Sequence, residues 1–353
     1  MTRSQIVEKL SLSEPESLKT LFAEANAVKI STIGNKVFLR GLIEFSNICS
    51  KNCYYCGIRR GNRTVNRYEL TDEEALAIVD FAWKNHYGSV VLQSGEQQSA
   101  HFTKRIAHLL HEIKSYTNNE IGITLSCGEQ TAETYRKWFK AGAHRYLLRI
   151  ETSNKELYSK LHPNNAKHSF DARLDAVRRL RDEGYQLGTG VMIGLPFQTI
   201  EHLADDLLFF QAMNVDMVGM GPYLEHSQTP MYLYRHLLLP PEKRLDLALK
   251  MVAVLRLLMP DINIAATTAL QVLHPEGREM AVSAGANIIM PNMTLPEFRN
   301  NYLIYEHKPG VNDDAALSKS KLEENLCHAG IDIGYGEWGD SRHFISSPLQ
   351  FQK

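Results

Sequence analysis

The stretch "KVFLRGLIEFS", Lys36–Ser46, runs directly into "NICSKNCYYCGIRR", residues 47–60, and this junction decides the fold prediction. The first part predicts a β-strand. The second part holds three of the chain's 5 cysteines, Cys49, Cys53 and Cys56, within eight residues. Active sites of (β/α)8 barrels lie in the loops at the carboxyl ends of the strands. A cysteine-rich loop directly after a first strand therefore predicts a catalytic site, where a structural metal would be out of place.

Further strand-like runs follow along the chain, and their apolar character is nearly continuous, as in "SVVLQ", "RYLLRI" and "NIIMP". Strands that are buried on both faces of a parallel sheet have this composition. With the first strand they make eight, near 36–46, 89–93, 121–126, 145–150, 186–193, 216–221, 262–267 and 287–291. Helical segments separate them, and one opens with a capping box of Thr71 and Glu74.

This alternation predicts an α/β fold, a (β/α)8 barrel of the TIM type, because eight units over roughly 250 residues match its usual size. A doubly wound open sheet is the alternative, since the number of strands does not prove closure. No Gly/Ser linker divides the chain, so a single domain over 1–353 is predicted. It comprises a helical prelude of about 35 residues, a barrel over about 36–300 and a C-terminal extension over about 302–353 that covers one end.

The composition argues against two classes of partner. The 39 Lys and Arg residues nearly balance the 40 Asp and Glu residues, and no long basic run stands out. Neither nucleic acid nor an anionic membrane is therefore expected as the main partner. The first residues contain no signal-peptide apolar run, and no apolar stretch of about 18 residues follows. An odd number of cysteines fits a reducing compartment, so a soluble, cytoplasmic protein is predicted.

The spacing Cys-x3-Cys-x2-Cys leaves a metal site one ligand short. A structural zinc site has four ligands, and an ordinary iron–sulfur cluster has four cysteines. A zinc site with a distant fourth ligand and an electron-transfer cluster completed by Cys127 or Cys327 are the alternatives. Cys127, however, follows the third strand and resembles a small buried residue. The favoured interpretation is one [4Fe–4S] cluster with one iron left open for S-adenosylmethionine (SAM).

The stretch "CSKNCYYC" resembles the motif of the radical SAM superfamily, with Tyr55 as the aromatic residue before the last cysteine. The resemblance implies an enzyme that cleaves SAM reductively to a 5′-deoxyadenosyl radical. It also implies that the three cysteines hold the cluster. "QSGE", which is Gln93, Ser94, Gly95 and Glu96, resembles the superfamily's Gly-Gly-Glu loop, whose backbone meets the amino group of SAM. An ordinary tight turn is the alternative.

Other residues near strand ends are candidates for the SAM site. Arg149 and Glu151 in "RYLLRIET" are on the same face of a strand by its period of two, and form either a ligand clamp or a plain salt bridge. Arg173 is a candidate for holding a carboxylate, with an exposed helical arginine as the alternative. Met217 either lies in a wall beside the cofactor or is an ordinary core residue. Tyr302 either lies in the cavity wall or is exposed in a loop.

A denser resemblance extends over residues 36–305. The stretches "CGIRRGN", "GLPFQT", "DMVGMGPYLEHSQTP", "AATTALQVLHPEGRE" and "GANIIMPNMT" resemble the HydE family of [FeFe]-hydrogenase maturases. The resemblance implies a small organometallic substrate, an iron–cysteinate that carries carbon monoxide and cyanide. It also implies other hydrogenase maturases and a reductant such as ferredoxin or flavodoxin as partners. Thr124, Ser126, Thr267 and Thr268 are candidates for the substrate cavity, with β-propensity and turn capping as the alternative.

Some members of this family carry further cysteines late in the chain for an accessory cluster. Here the corresponding region, "DDAALSKSKLEENLCHAGIDIG", contains Cys327 alone, so a single cluster is predicted. Two other functions stay open. Methylornithine synthase, a mutase that rearranges lysine, has a similar sequence pattern. A non-catalytic cluster carrier is the other, although it has no use for the Arg149, Glu151 and QSGE features.

Overall fold

The computed structural model describes residues 1–347. The strands are β1 (Lys36–Ser46), β2 (Ser89–Ser94), β3 (Gly122–Ser126), β4 (Arg145–Leu147), β5 (Gln186–Thr189), β6 (Met192–Ile193), β7 (Met217–Val218), β8 (Gly221–Pro222), β9 (Asn263–Ala266), β10 (Ile288–Ile289) and β11 (Asp332–Ile333). Two 3-10 helices cover Ala166–His168 and Pro230–Leu237.

The α-helices alternate with these strands and cover the outside of the sheet. They are α1 (Arg3–Leu10), α2 (Pro15–Thr32), α3 (Asp72–Lys84), α4 (Ala100–Tyr116), α5 (Ala132–Lys140), α6 (Lys155–Leu161), α7 (Phe170–Asp182), α8 (Ile200–Ala212), α9 (Pro241–Leu258), α10 (Leu270–Leu273), α11 (Gly277–Ser283), α12 (Pro296–Arg299), α13 (Ala315–His328) and α14 (Arg342–Ser346). The predicted capping box opens α3, where the Thr71 side chain accepts from the Glu74 backbone N–H. Among residues 1–347, no helix is both long and apolar enough to cross a membrane.

Eight parallel strands close into a barrel. Their order is β1, β2, β3, β4, β5, β7, β9 and β10, and β10 pairs back to β1. The closing register aligns Phe38 with Ile288 and Leu39 with Ile289. The predicted (β/α)8 fold is therefore confirmed, and the open-sheet alternative is wrong.

Two predicted strands are interrupted near the mouth, the end formed by the carboxyl ends of the strands. The predicted run 186–193 divides into β5 and β6, and 216–221 gives β7 and then β8, which pairs with β6 above the barrel. A Cβ atom on Gly190 would lie 2.0 Å from the carbonyl oxygen of Gly219. The two chains approach this closely only because a glycine stands there.

The C-terminal segment reaches both ends of the barrel. Tyr302 and Tyr305 line the cavity at the mouth. Further along, β11 pairs with the first residues of β1, and the Trp338 carbonyl accepts hydrogen bonds from Ser89 and Arg145 at the amino ends of their strands. The extension was predicted to cover one end. Its described part contacts both ends, and residues 348–353 lie outside the described residues.

Candidate active site

A cavity of about 320 Å³ opens at the mouth of the barrel. It brings together most of the predicted site residues, which are Cys49, Cys53, Tyr55, Cys56, Gln93, Ser94, Gly95, Glu96, Ser126, Arg149, Glu151, Arg173, Thr267, Thr268 and Tyr302. They come from loops or strand ends that are far apart in sequence. Their convergence follows from the parallel barrel, in which all carboxyl ends point the same way.

The cysteine loop is held against the loop after β2. The backbone N–H of Ser50 donates to the Glu96 carbonyl at 2.8 Å, and the Gly95 N–H donates to the Ser46 carbonyl at 2.8 Å. A Cβ atom on Gly95 would lie 2.8 Å from the Cβ of Cys49 and 2.4 Å from the carbonyl oxygen of Ile48. Any larger residue at position 95 would therefore push the cysteine loop out of place.

The three thiols of this loop line the same cavity. Burial raises the pKa of Cys49 and Cys56, and it raises the pKa of Cys53 to about 12. Metal binding requires thiolates and displaces these protons. Within residues 1–347, no three His, Cys, Asp or Glu side chains surround a single-ion position. Three thiols spaced along one wall of a large cavity fit a cluster with one iron left for a ligand.

A buried charge network lies beside the cysteine loop. The Lys51 ammonium lies 3.1 Å from Glu96 Oε1 and 3.0 Å from Glu129 Oε2. Arg173 pairs with both carboxylates, with its Nη2 3.5 Å from Glu96 Oε2. Burial raises the pKa of Glu96, and the Arg173 charge opposes that rise. Lys51 and Glu129 were missed from the sequence, although a lysine between two cysteines of a buried loop was a usable signal.

Two carboxylate oxygens of this network are buried without a hydrogen bond among the described residues. Oε1 of Glu96 and Oε1 of Glu129 are buried, yet within residues 1–347 neither accepts a hydrogen bond. Glu96 Oε1 lies 3.1 Å from the Lys51 ammonium, and Glu129 Oε1 lies 2.5 Å from Arg173 Nε, so both oxygens take part in ion pairs. Of the two glutamates, Glu96 lines the cavity. A buried carboxylate oxygen without a hydrogen bond fits a cationic ligand such as an amino group.

The Arg149 and Glu151 side chains line the same cavity and form an ion pair with each other. Arg149 donates to Glu151 Oε2 from Nη2 at 2.9 Å and from Nε at 3.1 Å. Arg149 also donates to the Val191 carbonyl at 2.9 Å. Glu151 has a φ of 65°, which is unusual for a residue with a side chain. Strained backbone of this kind is concentrated at functional sites, so the position supports a ligand-facing role.

Arg173 and Tyr302 are both buried at the cavity, so the exposed alternatives are wrong for both. The Arg173 side chain is 13% exposed, and its Nη1 donates to the Arg149 carbonyl at 3.0 Å. Tyr302 is 1% exposed, and its hydroxyl accepts from Gln93 Nε2 at 3.3 Å. These contacts tie α7 to the segment after β4, and the segment after α12 to β2.

Two predicted residues lie outside the main cavity. Thr124 and Met217 line a separate space of about 20 Å³ deeper in the barrel. Thr124 accepts from Arg145 Nε at 3.1 Å, and the Met217 sulfur lies 3.0 Å from Arg40 Nη1. Thr124 points inward, as Ser126 does, but stands two residues earlier on β3 and therefore one layer lower. The structure therefore does not bring Thr124 or Met217 into the main cavity with the other predicted residues.

The cavity also contains a buried ion pair that was not predicted from the sequence. Glu44 of β1 lines the cavity and pairs with Lys308, and its Oε2 accepts from Asn292 Nδ2 at 3.0 Å. Both charged side chains are at most 5% exposed. The available signal was a carboxylate inside an apolar strand, because a buried charge requires a partner.

Comparison with known proteins places this site in a family. The sequence model of the radical SAM superfamily matches residues 43–210. The chain is 43% identical over 309 residues to the [FeFe] hydrogenase maturase subunit HydE of Thermotoga maritima, covering 87% of this chain and 84% of the relative. It is 30% identical over 292 residues to 3-methylornithine synthase of Methanosarcina barkeri, covering 82% and 79%. The crystal structure of methylornithine synthase (PylB) superposes with a TM-score of 0.78 and 26% identity, covering 95% of this chain and 94% of that one.

The closed parallel barrel, the match to the superfamily and the three-cysteine motif at the mouth define a radical SAM enzyme, which uses a [4Fe–4S] cluster and SAM. Within that class, the chain belongs to the HydE family.

Proposed function

We propose that this chain is a hydrogenase maturase that acts on an organometallic iron–cysteinate precursor of the [FeFe]-hydrogenase diiron subcluster. The observation that carries the proposal is the 43% identity to HydE along 84% of that relative. The cavity adds support, because it places the three thiols and the Arg149–Glu151 pair around one space. When bound, the cluster and SAM supply a 5′-deoxyadenosyl radical for attack on the substrate.

The side chains of this chain have distinct roles in that proposal. Cys49, Cys53 and Cys56 hold the cluster. Glu96, which lines the cavity, offers its carboxylate to the amino group of SAM, and Lys51 and Arg173 hold that carboxylate in place. An arginine fork suits a carboxylate, and Arg149 and Arg173 both reach the cavity.

Three hydroxyl side chains are candidates for the substrate side of the cavity. Ser126, Thr267 and Thr268 contribute hydroxyl groups, and Thr267 Oγ1 is buried with no hydrogen-bond partner among residues 1–347. A Cβ atom on Gly221 would lie 2.3 Å from this oxygen, so the glycine leaves the hydroxyl room at the cavity edge. Hydroxyl donors suit the cyanide and carboxylate groups of an iron–cysteinate.

Tyr302 and Tyr305 close the cavity from the C-terminal side. Tyr302 is buried and Tyr305 is half-buried, and the Gly57 backbone N–H donates to the Ile304 carbonyl at 2.9 Å between them. This bond ties the covering segment to the residue after Cys56. A closed wall keeps water and stray hydrogen donors away from a radical, which favours the intended reaction.

The decisive experiment is an in vitro maturation mixture that lacks only this protein. Addition of the reconstituted wild type with SAM and a reductant is expected to raise [FeFe]-hydrogenase activity. Addition of the Cys56→Ala variant is expected to give no gain. An absence of gain from a wild type that holds its cluster and cleaves SAM would refute the maturase proposal.

Methylornithine synthesis is the second candidate function. It is supported by the 30% identity to 3-methylornithine synthase and by the similar shape of the PylB structure. Incubation with lysine, SAM and a reductant separates the two candidates. Formation of methylornithine without any maturation activity would favour the mutase.

We also infer the setting in which the protein works. All 5 cysteines lie within the described residues and are free thiols, which supports a reducing compartment such as the cytoplasm. Other hydrogenase maturases and a reductant such as ferredoxin or flavodoxin are the proposed partners. The first would supply or receive the organometallic species, and the second would supply electrons.

A further inference from the structure

An apolar patch stands out on the surface near the cysteine loop. It consists of Phe197, Leu233, Tyr234, Leu237 and Leu239, which are 39%, 71%, 40%, 46% and 46% exposed. We call these five residues the donor face. Four of them lie within or just after the 3-10 helix Pro230–Leu237. Single exposed apolar residues are ordinary, but a cluster of this kind marks an interaction site.

Direct contacts join the donor face to the peptide that carries the cluster ligands. The Met231 N–H, at the start of the 3-10 helix, donates to the Tyr54 carbonyl at 3.0 Å. The Tyr54 N–H donates to the Leu161 carbonyl at 2.9 Å. Tyr54 stands directly after Cys53, so the apolar patch lies over the outer side of the cluster loop.

The remaining member of the patch, Phe197, is held on the surface by local structure. Its ring lies 4.9 Å from the ring of Tyr234 and 5.1 Å from the Lys160 ammonium. Its φ is 68°, a strained value for a phenylalanine. The preceding turn is fixed by Gln198, whose Oε1 accepts from the Gly194 N–H at 2.7 Å. A strained turn that presents an aromatic ring to solvent points to contact with a partner.

Exposed positive charges occur both in the 3-10 helix of this patch and directly after the cluster loop. Arg60 and Arg63 follow the last cysteine of the loop and are exposed, and Arg235 lies within the 3-10 helix. Among residues 1–347, none of these three has a carboxylate partner. The nearby Glu225 is paired with Arg244 at 3.0 Å, and Glu306 accepts hydrogen bonds from Ser227. Arg235 therefore adds an unpaired positive charge to the donor face, and Arg60 and Arg63 add two more just after the cluster loop that the 3-10 helix contacts.

We infer that the donor face docks an acidic one-electron carrier protein, which reduces the cluster through the loop at Tyr54. The inference rests on the proposed function, because only an enzyme that cleaves SAM needs this electron. Each cleavage moves one electron from the reduced carrier to the sulfonium of SAM, whose C5′–S bond breaks to give methionine and the adenosyl radical. The carrier leaves oxidised by one electron.

The physical properties of the face suit this partner. The rate of electron transfer falls steeply with distance. A carrier at this face would be close to the cluster, because the 3-10 helix is joined to the cluster loop by a direct hydrogen bond. Redox partners use small interfaces and exchange quickly, so five apolar residues are sufficient. Unpaired arginines attract an acidic protein and raise its association rate, an effect that added salt weakens.

The test compares two donors for the same holoenzyme, reduced flavodoxin and dithionite. The variants are Leu233→Glu with Leu237→Glu, and Arg60→Glu with Arg63→Glu. Ile345→Glu, at a residue that is 55% exposed near the other end of the barrel, is the apolar control, and Lys19→Glu is the charge control. We expect the flavodoxin KM for SAM cleavage to rise about tenfold or more in both face variants, and dithionite-driven cleavage to stay unchanged.

Binding of flavodoxin to each holoenzyme, measured by titration at two salt concentrations, gives a second readout. The wild type should lose affinity as salt rises, and the arginine variant should be weaker and nearly insensitive to salt. An unchanged KM and Kd in both face variants would overturn the inference. So would sedimentation that shows the face variants disrupting a dimer of this chain. Failure of dithionite-driven SAM cleavage in the wild type would refute the proposed function. The binding titration would still test whether flavodoxin binds at the donor face.

Discussion

The two ends of the barrel both bury charged side chains, but they differ in the space beside those charges. At the bottom, the end formed by the amino ends of the strands, Arg145 donates to Asp340 Oδ1 at 2.7 Å and Arg40 donates to the Gly339 carbonyl at 3.0 Å. The nearby cavity measures about 20 Å³. At the mouth, Glu96 and Arg173 line a cavity of about 320 Å³.

This difference separates a structural charge cluster from a functional one. Both ends keep some polar atoms without partners within residues 1–347, namely Arg40 Nε and Arg145 Nη2 at the bottom and the two glutamate oxygens at the mouth. The small cavity has room for about one water molecule, which can accept hydrogen bonds from the remaining arginine N–H groups. The large cavity has room for a cofactor and a substrate. A buried polar atom without a hydrogen bond therefore indicates function here only where space accompanies it.

The largest effect should come from the thiols at the mouth. Cys53→Ser is expected to remove the [4Fe–4S] cluster and abolish SAM cleavage, because a hydroxyl does not replace this thiolate. Iron analysis and deoxyadenosine formation measure both losses. Cys327→Ser, at an exposed residue of α13, is the matched control and should keep a full iron content. Retention of a complete cluster in Cys53→Ser would contradict the assignment.

The second-largest effect should follow from a substitution at the bottom of the barrel. It should lower the free energy of unfolding and leave SAM cleavage unchanged. Asp340→Asn leaves Arg145, whose side chain is 0% exposed, without its counter-charge. Loss of one partner from a buried pair costs about 3–5 kcal/mol, and the partial exposure of Asp340 places the expected loss at the lower end. Urea unfolding measures the free energy of unfolding.

Folded Asp340→Asn protein should cleave SAM at the wild-type rate, since Asp340 lies at the opposite end from the cavity. The comparison between the two ends would fail if this variant kept full stability but lost SAM cleavage.

A third effect should separate binding from folding at the mouth. Glu151→Gln and Arg149→Leu each remove one charge from the pair at 2.9 Å. Loss of one charge-assisted hydrogen bond costs about 1.5–3 kcal/mol, so SAM should bind roughly 10- to 150-fold more weakly. Equilibrium binding to the reconstituted enzyme gives this ratio. Wild-type SAM affinity in both well-folded variants would refute a role for the pair.

The smallest effect concerns the acid stability of the bottom. Burial, with the Arg145 charge, lowers the pKa of His144 to about 4, and the ring stacks 4.7 Å from Trp338. The unfolded chain binds a proton near pH 6.5 and the folded protein only near pH 4. The free energy of unfolding should therefore fall as the pH drops from 6.5 to 4 and stay constant with respect to His144 above this window.

His144→Gln removes the titrating group and should flatten this part of the stability profile, as measured by urea unfolding at a series of pH values. SAM cleavage near neutral pH serves as the control and should not change. An equal slope in the variant would mean that another group is responsible.

Local sequence patterns were sufficient to predict the strands that position the site. The predicted β1 matches its bounds, and all eight predicted strands have a counterpart in the barrel. The later strands were predicted too long, as at β4, which ends at Leu147 instead of Ile150. There the chain leaves the sheet to reach Glu151 with its positive φ, and no apolar pattern signals such a departure.

The sequence by itself determined the barrel, the cysteine loop and the family, because these depend on short spacings and on strand composition. Only the tertiary structure decided which charges meet. Lys51 and Glu129 are 78 residues apart, and Glu44 and Lys308 are 264 residues apart. It also decided that Thr124 lies below the cavity while Ser126 lines it, and that one C-terminal segment reaches both ends. Such pairings depend on the closure of the whole barrel, which brings distant residues together and sets the depth of each side chain.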